Sequence, residues 1–565
     1  MSLRPFGPGR SSERHGRRGG SRAGRGFFDR PGLLAPAVLA PIVETALVRS
    51  FGSTGNAALA PQVTSPPPLD LFHDLRWISV FHDSWLVLAL ELAAVVILRS
   101  VWVTWMVQQA WPRRDTPSAS ASVPRVAVFY AIAIVLLTPW VILLFGQALV
   151  HVSFLFFAAL PPAVALAVII HRGAASQAAG RWWMWRPTRR SVAWVLGSFV
   201  WLTATGAVAG QAALRWALAA AGLGGLANAR AWYGVVQDVA GRPARRPLRA
   251  LAPVLVGVIF AVTVGGTALG FAARGHHASN APAGPPPAAE PGDHPVLIAA
   301  GLHSRFDPRP PLRLPGGYVG WRFSYRGVDR SGRPLPYGPA DTQRSIERSA
   351  LAMAAQVANL RRAYREPVTI LAESEGAIVA RTFLLGRAAP RRGEVDRLIT
   401  LDMPSGVSAV SFPSRGREGW GVGAGWALRG LSGLLGALGP LHLSADSPLS
   451  RDLVECRSAF ALLAASPPPP GVKEISVEAL ADWVDPPADA PDGVPRFVVP
   501  ATHGGLVADP PVQKLIRGIL RGDPSDLGPR TPSLWARVVG ATARPWLVPS
   551  LPTRLGSSAA CIGRL

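Results

Sequence analysis

Residues 126–170 run without a single formal charge. A helix rises about 1.5 Å per residue, so as one helix this stretch would be about 67 Å long, twice the roughly 30 Å hydrocarbon core of a bilayer. It therefore reads as a tight helical hairpin inside a membrane, and the rest of the chain must be compatible with that. Residues 85–107 form a second long apolar run, bordered by Trp85, Trp102 and Trp105 as interface anchors. It contains Glu91 and Arg99, ionisable groups that are costly at membrane depth and that mark a function, snorkel toward an interface, or pair with another helix. Residues 191–210 and 251–272 read as further spans, the first ending in Gly206 and Gly210 at a spacing that permits close packing. Residues 33–48 and 212–227 are weaker, the former broken by Glu44 and two prolines and the latter by Arg215.

Charge sets the expected orientation. The net charge of +24 is densest in residues 1–30, where eight Arg face two acids, a disordered basic tail. The intervals 108–125, 172–190 and 228–250 are also basic. This excess follows the positive-inside rule better than it follows a nucleic-acid-binding face, and no zinc-finger spacing, RNP motif or Walker loop accompanies it. With all the basic intervals cytoplasmic, both weak runs must cross. That predicts about seven spans in a helical bundle over residues 31–272, with the C-terminal half outside the cytoplasm. Residues 49–83 are polar, and Asp70, Asp74 and Asp83 lower their charge. Two cysteines, Cys456 and Cys561, leave no Cys-based metal site; they can form one bridge, but two free thiols are the simpler default. No cofactor or metal is expected.

A Pro-rich linker, 273–295, separates this bundle from a region of different pattern. Across 296–525, short β-branched runs alternate with helical stripes, which predicts a mostly parallel sheet flanked by helices. Strands are expected at 296–300, 318–325, 368–373, 397–402, 475–480 and 496–499, and helices at 345–364 and 511–520. Within this region, VTILAESEG at 368–376 runs directly into the helical AIVARTFLL. Strand, one sharp turn carrying a serine, then helix is the layout of a nucleophile elbow. Small residues must flank the serine at two positions either side, because the two backbones nearly touch there; Ala372 and Gly376 fill those places.

A serine hydroxyl needs a base to take its proton and an acid to orient that base. Asp482 follows one predicted strand in ADWVDPPAD, and His503 follows the next in PATHGGL. Ser374, Asp482 and His503 thus come in the order nucleophile, acid, base. Asp485 and Asp489 compete for the acid, and His294, His303 and His442 compete less well for the base. With these turns in view, 296–521 resembles a bacterial lipase or esterase of the α/β-hydrolase superfamily, including relatives of the GPI inositol-deacylase type. His503-Gly504-Gly505-Leu506 matches the base turn of those enzymes, and Asp482-Trp483-Val484-Asp485-Pro486-Pro487 their acid turn apart from Asp485. Residues 444–449 are similar to the lipase stretch that closes the lid region.

The resemblance implies an oxyanion hole formed by the backbone N–H groups of Glu375 and Leu302. It also implies a lid or cap at 405–445, whose Gly-rich apolar sequence suits an acyl pocket or a bilayer contact. The expected function is a membrane-tethered serine hydrolase acting on an ester, with a lipid or acylated envelope molecule as substrate. Three readings compete: a transporter or sensor using the hydrolase fold only to bind, a peptidase or amidase, and an acyltransferase. Residues 526–565 form a tail that the sequence does not interpret.

Overall fold

The computed structural model describes residues 26–51, 54–82, 84–112, 116–145, 170, 173–180, 189–240, 292–307, 312–386, 389–390, 393–404, 422–423, 447–481, 493–522, 542, 544–546 and 549. Most of the basic tail, the second arm of the hairpin, the 251–272 run, most of the linker and nearly all of the lid lie outside them.

The N-terminal half is helical: α1 (Pro31–Ser50), α2 (Leu69–Val80), α3 (Trp85–Ala110), α4 (Ala119–Phe145), α5 (Arg189–Gln211) and α6 (Leu214–Ala240). Among the described residues three helices, Pro31–Ser50, Trp85–Ala110 and Val192–Gln211, are long and apolar enough to cross a membrane. This is fewer than the seven spans the charge pattern predicts. The weak 33–48 run is a continuous helix despite Glu44, Pro36 and Pro41. The 212–227 run is part of a 27-residue helix, α6, which carries Arg215, Arg230 and Asp238 and is not among the three. Helices α1 and α6 approach closely at Gly225, where an added Cβ would stand 2.0 Å from the Ala37 carbonyl oxygen.

Residues 54–82, polar in sequence, are part of the helical half. They fold into the bundle as two short 3-10 turns and α2, and most of them are buried. Gly206 and Gly210 do permit a close approach, but to this segment: a Cβ at Gly206 would lie 2.5 Å from Ala58 O and 2.7 Å from Pro545 Cβ. The C-terminal tail also has a place here. Pro545 O accepts from Gln62 Nε2 and Arg76 Nη1, each at 2.7 Å, and Trp546 stacks on Phe199 of α5 at 4.5 Å while its Nε1 donates to Thr203 Oγ1.

The C-terminal half is built on six parallel strands: β1 (His294–Ala299), β2 (Tyr318–Arg322), β3 (Val368–Glu373), β4 (Val395–Leu401), β5 (Lys473–Ala481) and β6 (Arg496–Thr502), in the order β2-β1-β3-β4-β5-β6. Every pairing is parallel, and both faces are covered, so the strands read as unbroken apolar runs rather than alternating ones. Period-two alternation still sorts the side chains between two cores. Leu297, Ile370 and Leu398 pack with α7 (Ile346–Tyr364) and α8 (Glu375–Leu385) on one face. Val296, Leu371, Ile399 and Val477 pack with α11 (Pro510–Arg521) on the other. Two short helices, α9 (Pro448–Glu455) and α10 (Arg457–Ala465), complete the first face. Helix α7 starts where expected, because Ser345 caps it by accepting from the Arg348 N–H. Strand order turns back between β1 and β3, and the C-terminal strand ends form the edge where a site is expected in such sheets.

One expectation about redox state is corrected. Cys456 is disulfide-bonded rather than a free thiol, and the only other cysteine in the chain is Cys561.

Candidate active site

Ser374 joins β3 to α8 at φ +54° and ψ −123°, a conformation that non-glycine residues rarely adopt. The strain is sustained by the neighbouring strands: Ser374 N–H donates to Leu401 O of β4 at 2.9 Å. The turn also needs glycine where backbones meet. A Cβ on Gly376 would fall 2.9 Å from Ala299 O and 3.0 Å from Ala300 O, both main-chain atoms that cannot move aside. Gly301, after β1, lies against the serine itself, since its Cβ would be 2.8 Å from Ser374 Cβ. Gly376→Ala is therefore expected to cost about 1–3 kcal/mol in thermal unfolding, as overpacking does, and to displace Ser374 from its partner.

That partner is His503. It is brought up by the turn after β6, and its Nε2 lies 2.8 Å from Ser374 Oγ. The two residues are 129 positions apart in sequence and meet because their strands end at the same sheet edge. His294 and His303 take no such place: His294 faces Thr369 and Asp396 at the opposite end of β1, and His303 lies in the turn after it. His442 lies outside the described residues.

Strand β5 ends at Ala481, and Asp482, Asp485 and Asp489 lie just beyond it, outside the described residues. A carboxylate that sequence reasoning missed sits close by. Asp402 follows β4 at φ +47°, its side chain is fully buried, and its Oδ2 lies 3.8 Å from His503 Nδ1. That separation is an ion-pair distance and too long for a hydrogen bond. Its Oδ1 accepts from the Ala479 N–H of β5 at 2.5 Å, so the carboxylate also fixes β4 to β5. The available signal was its position, an acid directly after a strand and between the serine and the histidine in order.

Glu373 was missed as well. Its Oε1 accepts from the Leu506 N–H at 3.1 Å, which ties the last residue of the elbow strand to the turn that carries His503. Burial raises its carboxyl above the ordinary 4.5, opposed by the neighbouring His503 and by the Leu506 hydrogen bond.

At the two expected oxyanion positions the geometry is partly constrained. Glu375 is the first residue of α8, where the leading N–H groups have no acceptor within the helix. In the turn 301–304, His303 N–H donates to Thr342 Oγ1 at 3.0 Å and Ser304 N–H to Gly301 O, which takes both out of contention and leaves the N–H groups of Gly301 and Leu302. The Glu375 side chain is buried, and neither carboxyl oxygen has a hydrogen-bond partner among the described residues. Burial alone drives its pKa well above 4.5. The folded protein therefore retains a proton that the unfolded chain releases above 4.5, and stability falls as pH rises through that range. Glu375→Gln removes this loss, so its melting temperature should gain on that of the parent as pH is raised from 4.5. A constant offset between the two curves would refute the assignment.

Among the described residues no group of three or more His, Cys, Asp or Glu is arranged to hold a metal ion. The serine–histidine pair on a strained turn is instead suited to nucleophilic attack on a carbonyl.

Neither a family model nor a curated protein matches the chain. Solved structures similar to it include the Bacillus licheniformis lipase BlEst2 in its propeptide form, at 16% identity and TM-score 0.23, covering 34% of this chain and 38% of that one. TT1662 from Thermus thermophilus aligns at 18% identity and TM-score 0.24, over 41% of this chain and 90% of that one. Aspergillus fumigatus lipase B aligns at 14% and 0.26, over 47% and 66%. The chain thus spans less than two thirds of either lipase. Such distant likenesses carry no argument by themselves; it is the parallel six-stranded sheet, with its flanking helices and serine elbow, that is consistent with an α/β-hydrolase fold.

Proposed function

We propose that the C-terminal half is a serine hydrolase that cleaves a carboxylic ester through an acyl-enzyme. The observation that carries this reading is Ser374 at positive φ with its Oγ 2.8 Å from His503 Nε2. Ser374 attacks the ester carbonyl while His503 takes its proton and returns it to the leaving alcohol. The Glu375 and Leu302 N–H groups hold the oxyanion. Asp482, directly after β5, orients the imidazole, and Asp402 adds a second buried negative charge on the same side of the ring. Water then resolves the acyl-enzyme.

The substrate class we favour is a lipid or acylated envelope molecule, as in the lipases and GPI inositol-deacylase relatives that the sequence resembles. Helices able to cross a membrane favour it, since a tether raises encounter with a substrate in the bilayer. The extracytoplasmic position we favour requires the 212–227 run to cross with the basic intervals inside, and it is supported by the disulfide at Cys456, a bond that persists in oxidising compartments. The insert at 405–445 also touches the helical half: Gly423 N–H donates to His82 Nε2 at 2.8 Å, next to Leu88 of α3.

The test is labelling with a fluorophosphonate in intact cells and in isolated membranes. Parent protein should label in both with a membrane-impermeant reagent, and Ser374→Ala in neither. Labelling only after membrane disruption would reverse the topology. No serine-dependent labelling under any condition would leave the fold as a binding module.

A further inference from the structure

We infer that the helical half contains a proton-binding site of its own, at the bond between Glu44 of α1 and His73 of α2. His73 is buried, with Nε2 2.8 Å from Glu44 Oε1 and Nδ1 2.9 Å from Asp74 Oδ1. Asp74 is gripped by both arms of Arg99 of α3, at 2.6 Å each, so it is ionised and can only accept. Nδ1 must then carry a hydrogen. The contact to Glu44 needs a second hydrogen, either on Nε2 or on the carboxyl. On Nε2 it makes an imidazolium held between two carboxylates, and the pair then contains one proton more than a neutral imidazole beside a carboxylate.

The surrounding charges fit that count. Glu44 of α1 and Asp70 and Asp74 of α2 are the acids; Arg76 of α2 and Arg99 of α3 are the fixed cations; Tyr130 of α4 donates to Asp70 at 2.8 Å and stays neutral. With the extra proton, three negative charges meet three positive ones. Without it, the described cluster holds a net negative charge away from water, which is costly. Burial works against the imidazolium, but Glu44 and Asp74 outweigh it and raise His73 above 6.5. Glu44 keeps a side-chain exposure of 19%, so the pair is not sealed on the α1 side.

The site also has a defined alternative state. Trp77 Nε1 lies 3.2 Å from His73 Nε2, and this indole N–H can donate only when Nε2 offers a lone pair. Losing the proton therefore exchanges the link from α2 to α1 for a contact within α2. The same helix carries Arg76, which holds Pro545 of the C-terminal tail, and leads to His82, which holds Gly423 of the insert. A proton bound here is thus connected to two segments of the other half.

The experiment is a pH titration of the full chain in phospholipid nanodiscs with ¹⁵N-labelled histidine rings, His73 being assigned by its absence in His73→Gln. In the parent, His73 should remain an imidazolium above pH 6.5. Glu44→Gln should lower its proton affinity at least tenfold, because one of two carboxylates opposing burial is gone. Trp77→Phe should leave the affinity unchanged or higher, and Ser374→Ala should leave it unchanged. A His73 that is neutral at pH 6 in the parent overturns the inference without recourse to any variant. So does a raised affinity that Glu44→Gln does not reduce.

Discussion

Ser374→Ala and His503→Ala are each expected to lower kcat for a soluble ester on the order of 10⁴-fold or more, with little change in KM. Removal of Oγ eliminates the nucleophile while leaving the elbow intact, because alanine suffers no more than serine at φ +54° and the Ser374 N–H to Leu401 O bond is main-chain. Removal of His503 leaves the hydroxyl at its ordinary high pKa, with no acceptor 2.8 Å away to take the proton. Groups that act as a unit are not additive, so the double variant should be about as slow as either single one. Residual hydrolysis would come from the backbone oxyanion donors. Steady-state kinetics on the three variants, with circular dichroism to show that each is folded, make the measurement. Near-parent turnover in Ser374→Ala would remove Ser374 from the chemistry, and with it the reading of the C-terminal half as a serine hydrolase.

The parts of this molecule that were legible in advance are those encoded locally. The elbow could be read because three constraints fall within nine residues: an apolar strand, small residues at Ala372 and Gly376, and a helix that starts at once. All six strands lie within a few residues of their expected positions, since a parallel sheet buried on both faces writes itself as continuous apolar runs. What was not legible depends on pairing across distance. The 54–82 segment looks polar in sequence, yet Asp70 and Arg76 are buried and Asp74 half-buried, because Tyr130, Arg99 and Pro545 supply partners from elsewhere and Gln62 supplies one from within. Arg99 fits the partner-on-another-helix reading through Asp74. Pro545 and Trp546 lie in a tail that carries no periodicity to announce their contacts. Asp402 follows its strand without a motif around it, unlike the turns that carry Asp482 and His503.

Asp402 gives the second large expected effect, since it and Asp482 make opposite predictions. A carboxylate that orients a catalytic histidine must accept the Nδ1 hydrogen; asparagine can present N–H instead and stabilise the wrong tautomer, a loss on the order of 10⁴-fold in kcat. If Asp482 has this role, Asp482→Asn should show that loss with thermal stability unchanged. Asp402→Asn should then behave differently. Its Oδ1 already accepts from the Ala479 N–H, and its Oδ2 stands 3.8 Å from Nδ1, so it acts on the imidazolium through space. Replacing that charge should cost about tenfold in kcat, corresponding to about 1.4 kcal/mol of transition-state stabilisation. The amide oxygen can keep the β4–β5 link, so folding should survive. Should the larger loss follow Asp402→Asn instead, Asp402 is the orienting acid, its Oδ2 closing on Nδ1 when substrate is bound, and Asp482 is only a turn residue after β5. Comparable losses in both variants, with a double variant no worse than either, would mean that the two carboxylates share the imidazolium charge. That pattern would place the acid function at the junction of β4 and β5, where Asp402 already joins the two strands.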